Sequence, residues 1–307
     1  MLDSLWTEKY RPNTIDGYVF RDDAQRAKIE QWIKEGQIPH LLFSGSAGVG
    51  KTTLAKILIN TVGIDEFDVL EINASRETSV DVFRNKVTNF VGTMALGSYK
   101  VVLLDEADYL SHHAQASLRG IMEDYAGNAR FILTCNYPNK IIPAIHSRCQ
   151  GFHIEKVDIT EFTSRVASIL IQEDIEFDLD DLDSFVRASY PDLRKTINNL
   201  QQNCRDSKLL LPTKGGDAST SDWRLEMAEL FKAGKIRQAR QLVCGSASPE
   251  EYEDVYRWMY DNIDLWGAEE ERQDAAVLVI RKGLINHGLV ADPEINLAAC
   301  MIELSKV

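Results

Sequence analysis

Eight consecutive residues, Gly45-Ser46-Ala47-Gly48-Val49-Gly50-Lys51-Thr52, fit the pattern G-x-x-x-x-G-K-[ST]. Each fixed position has a chemical reason. Glycines let backbone N–H groups turn inward around an anion, and a helix expected over Thr53–Val62 adds the positive end of its dipole. Lys51 reaches toward the β- and γ-phosphates, and the Thr52 hydroxyl can ligate Mg²⁺. A second set of groups, Asp105-Glu106-Ala107-Asp108, follows the apolar run Val101–Leu104. At a strand's C-terminal edge beside such a loop, two carboxylates divide the work. Asp105 would hold Mg²⁺, directly or through water, and Glu106 would orient and deprotonate an attacking water. Together the two elements predict hydrolysis of a nucleoside triphosphate.

Three more polar residues could join this chemistry. Asn136 follows the apolar run Phe131–Thr134 and could contact the γ-phosphate or the water. An asparagine at a strand end is equally a turn former. Arg148 and Arg194 could supply the added positive charge that phosphoryl transfer needs. Pairing with a surface carboxylate is the commoner fate of such arginines, and the spacing alone does not choose.

These groups need a sheet to hold them. Over the first 155 residues, short apolar runs alternate with helical stretches, which predicts a parallel α/β sheet. The expected strands are His40–Gly45, Asp68–Ala74, Lys100–Ala107 and Arg130–Asn136, continuous apolar runs of the kind buried on both faces. After Phe152 the pattern predicts helices only. Asp158 with Glu161 forms a capping box for a helix through Gln172, followed by helices over Leu179–Tyr190 and Leu193–Arg205. Residues 211–222 are rich in Gly, Ser and Thr and read as a linker. Ser248-Pro249-Glu250-Glu251 has the composition of a helix start in an all-helical final stretch. The expected domains are a phosphate-binding core over 1–155, a helical lid over 156–210, the linker, and a helical domain over 223–307.

Composition sets the outer bounds. With 44% hydrophobic and 26% charged residues, the 307-residue chain is globular rather than disordered or fibrous. Its net charge of −13 argues at first against a partner rich in phosphate. The charge is unevenly spread. Of 34 Lys+Arg and 47 Asp+Glu, 16 and 18 lie in residues 1–150, leaving 18 and 29 for the rest. The first half is therefore almost neutral. Five well-separated cysteines without a C-x-x-C pair support neither a disulfide framework nor a zinc knuckle. No apolar run is long enough to span a bilayer, so a cytoplasmic protein without a membrane partner is expected.

An ordered series of segments resembles the AAA+ ATPases, and among them the clamp-loader ATPase subunits. The series is TEKYRP (Thr7–Pro12), IPHLLFSGSAGVGKTT (Ile38–Thr53), EINAS (Glu71–Ser75), VVLLDEAD (Val101–Asp108), AQASLRGIME (Ala114–Glu123), FILTCNYPNKII (Phe131–Ile142), IHSRC (Ile145–Cys149) and PDLRKTINNL (Pro191–Leu200). The likeness extends to replication factor C small subunits. In the size of its helical tail the chain looks more like the T4-type phage subunit, whose setting would be a bacterial host cytoplasm.

The resemblance implies an α/β AAA+ module, with a parallel-sheet P-loop core and helical lid, followed by an all-α C-terminal collar. It also implies particular roles. Thr7, Glu8, Lys9 and Tyr10, with Val19, would line an adenine pocket that Arg11 braces. Gly45, Gly48, Val49, Gly50, Lys51, Thr52 and Thr53 would hold the phosphates of ATP. Asn136 would be a first sensor and Arg194 a second. Arg148 would reach the ATP of a neighbouring subunit, and Arg84 and Arg119 would face duplex DNA. Departures from the family pattern fall at Ser46-Ala47, Val49, Pro191, Gly120 and Arg76-Glu77-Thr78.

The implied activity is an ATP-driven switch that opens a ring-shaped sliding clamp and sets it on primer–template DNA. It would act within a pentameric ring with copies of itself and a different clamp-loader subunit. The competing expectations are another DNA-remodelling AAA+ motor, of initiator or branch-migration type, and a scaffold that binds ATP without hydrolysing it. The former usually append a basic recognition helix, absent from the acidic C-terminal third. The intact Glu106 argues against the latter.

Overall fold

The computed structural model describes residues 5–76, 79–154, 157–210, 223–247, 251–266 and 269–306. The expected linker at 211–222 and the cap at Ser248–Glu250 lie outside the described residues. Two compact units divide the chain. One comprises Met1–Ile169 with Pro191–Ile197, the other Leu170–Tyr190 with Asn198–Val307.

The first unit runs α1 (Trp6–Lys9), α2 (Asp23–Glu35), β1 (Leu41–Ser44), α3 (Lys51–Val62), β2 (Val69–Asn73), α4 (Val80–Val91), β3 (Lys100–Asp105), α5 (His112–Asp124), β4 (Ala129–Cys135), α6 (Pro143–His146), β5 (Gln150–His153) and most of α7 (Ile159–Gln172). The five strands form one parallel sheet in the order β2-β3-β4-β1-β5. The period of two along each central strand explains its unbroken apolar run. Leu42, Val102, Leu104, Phe131 and Leu133 face the helices that carry Phe83, Val87 and Leu118. Their neighbours Leu41, Phe43, Val101, Leu103 and Ile132 face Ile29, Leu54 and Leu58 on the other side. Both faces are covered, so both sets must be apolar.

The four expected strands are present, three of them trimmed by a residue or two at their ends and β4 shifted one residue toward the N-terminus. The edge strands obey a different rule. On β2 only Ile72 is buried, and Glu71 reaches solvent to pair with Lys56 at 2.7 Å. The fifth strand, Gln-Gly-Phe-His, buries only Phe152. It escapes a search for apolar runs because one side of an edge strand needs no apolar cover.

His40, just before β1, carries a pH dependence. Its Nδ1 accepts the Phe131 N–H at 3.1 Å. Burial, with help from nearby Arg130, pushes its pKa down from 6.5 to about 4. The unfolded chain therefore takes up this proton first as pH falls. His40 should weaken the fold progressively from about pH 6.5 to about pH 4, and contribute fully above that window. A thermal-unfolding series over this range should show the loss, and His40→Gln should flatten it. An unchanged slope in the variant would exclude His40 as the source.

The second unit is mostly helical: α8 (Leu179–Ser189), the end of α9 (Leu193–Asn203), α10 (Trp223–Lys232), α11 (Ile236–Ser246), α12 (Tyr252–Asp261), α13 (Glu270–His287) and α14 (Pro293–Leu304). Its core contains Phe231, 5.2 Å from both Trp258 and Trp266. Helices α12 and α14 approach α13 so closely at Gly283 that an added Cβ would lie 2.7 Å from the Tyr256 ring and 2.8 Å from the Cys300 sulfur. The expectation of helices alone after Phe152 needs correction, since α9 stops at Asn203 and a short hairpin follows. In it β6 (Cys204–Arg205) pairs antiparallel with β7 (Lys208–Leu209). Asp206 and Ser207 both take positive φ at its turn, the backbone of a tight hairpin built without its usual glycine.

The start of α7 and the first turn of α9 belong with the sheet. Their side chains Phe162 and Ile197 share a cavity with Tyr10 and Val49, and Arg165 donates to the Tyr10 carbonyl at 2.8 Å.

Candidate nucleotide site

The loop between β1 and α3 is shaped by its glycines. Gly45, Gly48 and Gly50 all have positive φ, at 154°, 71° and 90°. At Gly50 a Cβ would also come within 3.0 Å of the Tyr18 ring. Gly50 is the N-cap of α3 and gives it no side-chain cap. The first N–H groups of that helix are thus left for an anion, where Ser79 and Ser111 cap α4 and α5 with their hydroxyls.

Lys51 lies folded into the loop and is only 8% exposed. Its ammonium donates to the carbonyls of Gly45 (2.9 Å) and Ser46 (2.6 Å) and to Asn136 Oδ1 (2.7 Å). Burial lowers its pKa, against the opposing pull of Cys135, Asp105 and Asp108. The contact with Asn136 spans 85 residues and follows from sheet order, because β4 lies beside β1.

One strand over, Asp105 ends β3. Its Oδ1 accepts from the hydroxyls of Thr52 (2.6 Å) and Thr134 (2.5 Å). Glu106 follows in a left-handed conformation, φ 57°, with its N–H on Thr134 Oγ1 at 3.1 Å. No described residue hydrogen-bonds to its carboxylate, so it is available to a water. The carboxylates of Asp105 and Glu106 are thus differently placed. One is engaged by hydroxyls at the phosphate loop, and the other is unengaged.

Beside the loop is a cavity. Of the residues expected to hold a nucleotide, Thr7, Tyr10, Arg11, Val19, Gly48, Val49, Gly50, Thr53 and Arg194 line it. Glu8 and Lys9 do not, nor do Gly45, Lys51 and Thr52 of the phosphate loop and the start of α3. Glu8 pairs with Arg11 at 2.7 Å, and the Lys9 ammonium lies 5.1 Å from the Tyr10 ring centre. The cavity also takes apolar walls from Tyr18, Val157, Phe162 and Ile197. Sequence reading missed these four, whose only local signal is apolar character. Asp192 presses on the loop, and a Cβ on Gly48 would lie 1.8 Å from its Oδ1. Burial raises the Asp192 pKa, while its Oδ1 accepts the Lys195 N–H at 2.9 Å and so starts α9. That contact sets Arg194, two residues on, at the cavity wall.

Residues 41–156 match the family described as "ATPase family associated with various cellular activities (AAA)". The replication factor C small subunit of Methanococcus vannielii is 36% identical over 286 residues, spanning 90% of this chain and 84% of the relative. The chain belongs to the replication factor C small-subunit family. The Staphylothermus marinus small subunit is 38% identical over 244 residues, covering 77% of this chain and 74% of the relative. A solved structure of a Thermotoga maritima RuvB variant shares the fold with a TM-score of 0.56, covering 93% of this chain and 90% of that one at 17% identity. As a member of the family, this chain is an AAA+ ATPase: an α/β P-loop module followed by an all-helical C-terminal region.

In this replication factor C small-subunit relative, the remaining predicted residues lie off the cavity. Arg148 follows α6 and is held by the Ala144 carbonyl (2.6 Å) and by Glu123 of α5. Arg119, one turn before Glu123, pairs with the same carboxylate at 3.6 Å. Arg84 is exposed on α4, with no hydrogen-bonding or ionic partner among the described residues. No helix among the described residues is long and apolar enough to cross a membrane.

Proposed function

We propose that the chain is an ATP-hydrolysing subunit of a sliding-clamp loader that acts on primer–template DNA. One observation carries this reading. A chain of the replication factor C small-subunit family brings Lys51, Thr52, Asp105, Glu106 and Asn136 together at the C-terminal ends of its central strands. The phosphates of ATP would lie on the open N-terminus of α3, with Lys51 turning from the loop carbonyls to the β- and γ-oxygens. The base would sit over Tyr10, Val19 and Phe162.

Thr52 and Asp105 fit Mg²⁺, which takes hard oxygen ligands and is usually held through one or two carboxylates plus substrate phosphates. Among the described residues no group of three or more His, Cys, Asp or Glu gathers as a cation site. Bound there, the ion would neutralise charge on the β- and γ-phosphates. Glu106 would take the proton of the attacking water, and Asn136 and Arg194 would face the terminal phosphate.

Arg148 is held by Glu123 and does not line its own subunit's cavity, which suits a residue that completes the site of a neighbouring subunit. The functional object is then a ring, proposed as a pentamer with a second kind of subunit and joined through the C-terminal helices as a collar. Residues 1–155 would be its core, 156–210 its lid and 223–307 its collar. Arg84 and Arg119 would meet the DNA backbone without reading sequence. The finer likeness to T4-type phage subunits, and with it a bacterial host cytoplasm, rests on the sequence resemblance alone.

Salt dependence of DNA binding tests this proposal. With a few arginines per subunit gathered only in the ring, the isolated chain should scarcely bind primer–template DNA. The assembled, ATP-loaded complex should bind tightly, with log affinity falling by about 0.9 per phosphate contact for each unit of log salt. Equal binding by the isolated chain would refute the arrangement.

A further inference from the structure

We propose that Asp108 is the positioning residue for Asn136, an inference that rests on reading Asn136 as a group that faces the terminal phosphate. Asp108 lies in the single turn Ala107–Tyr109 after β3 and is 7% exposed. Its Oδ2 accepts the backbone N–H of Asn136 at 3.3 Å and of Tyr137 at 3.1 Å. Those are the first two residues beyond β4, where the strand's own ladder has ended. The carboxylate takes over and sets the direction in which the chain leaves the sheet. That direction puts the Asn136 side chain on Lys51, 2.7 Å away.

The energetics favour a role in the site over a role in stability. A buried ionised carboxylate is costly unless its oxygens are paired. Here Oδ1 is buried, with no hydrogen-bond partner among the described residues. Two ordinary backbone bonds could be met by a neutral group at lower cost, so an aspartate at this place is poorly explained by folding alone. Its negative field also favours the charged form of Lys51 against the loss of solvent. The turn thus links two strand ends, with Glu106 two residues before Asp108 and Asn136 on the far side of its hydrogen bonds.

A double-mutant cycle on ATP hydrolysis by the assembled, DNA-stimulated complex tests this. Asp108→Ala should lower kcat by about 10- to 10²-fold, since small misplacements at a reacting centre have effects of that order. It should resemble Asn136→Ala and leave the affinity for ATP nearly unchanged. Asp108→Asn keeps an acceptor oxygen and should restore most of the rate. The double variant Asp108→Ala/Asn136→Ala should be no slower than Asn136→Ala alone. Should Asp108→Ala fail to fold, Asp108→Ser takes its place, because its short hydroxyl cannot serve both N–H groups. Additive losses would overturn the proposal, as would equal losses of affinity and rate in a folded Asp108 variant. A silent Asn136→Ala would instead remove the reading of Asn136, and this inference with it.

Discussion

Glu106→Gln should lower ATP turnover by about 10²- to 10⁴-fold while nucleotide affinity stays the same. At 1.36 kcal/mol per tenfold, that is about 3–5 kcal/mol of transition-state stabilisation. Glu106 holds φ 57°, a conformation that costs a non-glycine residue of the order of 1 kcal/mol or more and is concentrated at functional sites. The Thr134 hydroxyl takes its N–H and holds it there. The same hydroxyl donates to Asp105, so one side chain fixes the Asp105 carboxylate and the Glu106 backbone together. Asp105 is engaged by two hydroxyls, and Glu106 keeps its oxygens for a water. Glutamine preserves shape and removes the basic site, so binding should survive and proton transfer should not. Single-turnover hydrolysis beside a nucleotide-binding titration separates the two. Unchanged hydrolysis would exclude Glu106 as the base.

For Arg148→Ala the expected loss is about 10³- to 10⁵-fold in the assembled complex, again with ATP binding retained, the range found when an arginine finger is removed. In the isolated subunit Arg148 is held by Glu123, with their side chains 30% and 43% exposed. An ion pair that open to water contributes about 1 kcal/mol or less. Little therefore opposes its transfer to a neighbour's phosphate. Subunit mixing makes the prediction specific. Arg148→Ala and Glu106→Gln chains are each inactive in uniform rings. A mixed ring contains interfaces where an intact Glu106 meets an intact Arg148, and there hydrolysis should partly return. Failure to recover any activity, together with full activity of the isolated wild-type chain, would place the arginine's work within its own subunit or nowhere.

What could be read directly depended on range. The phosphate loop is encoded within eight residues, because positive φ at Gly48 and Gly50 and a lysine after the last glycine are local requirements. Strands β1, β3 and β4 were legible because burial on both faces leaves an unbroken apolar run. Strand β5 was not, since Gln150-Gly151-Phe152-His153 carries a single apolar side chain, whereas the other edge strand, β2, still offers Val69, Leu70 and Ile72. The same limit applies at the site. Glu8 and Lys9 sit in the right segment but outside the cavity, because a short helix turns only some of its residues inward. Phe162 and Ile197 stand on distant helices and carry no mark of a nucleotide.

Sequence alone therefore determined the chemistry on offer: an anion-binding loop, a pair of carboxylates after a strand, and an AAA+ order of segments. Tertiary structure decided which groups meet. Asn136 reaches Lys51 because the order β3-β4-β1 lays one strand end beside the other. Asp108 turns out to hold that end, and Arg148 reaches back to Glu123 of α5. The physical reason is the same for all three. Motif residues are set by backbone geometry over a few bonds, whereas these contacts close loops of tens of residues and exist only once the fold has brought distant segments together.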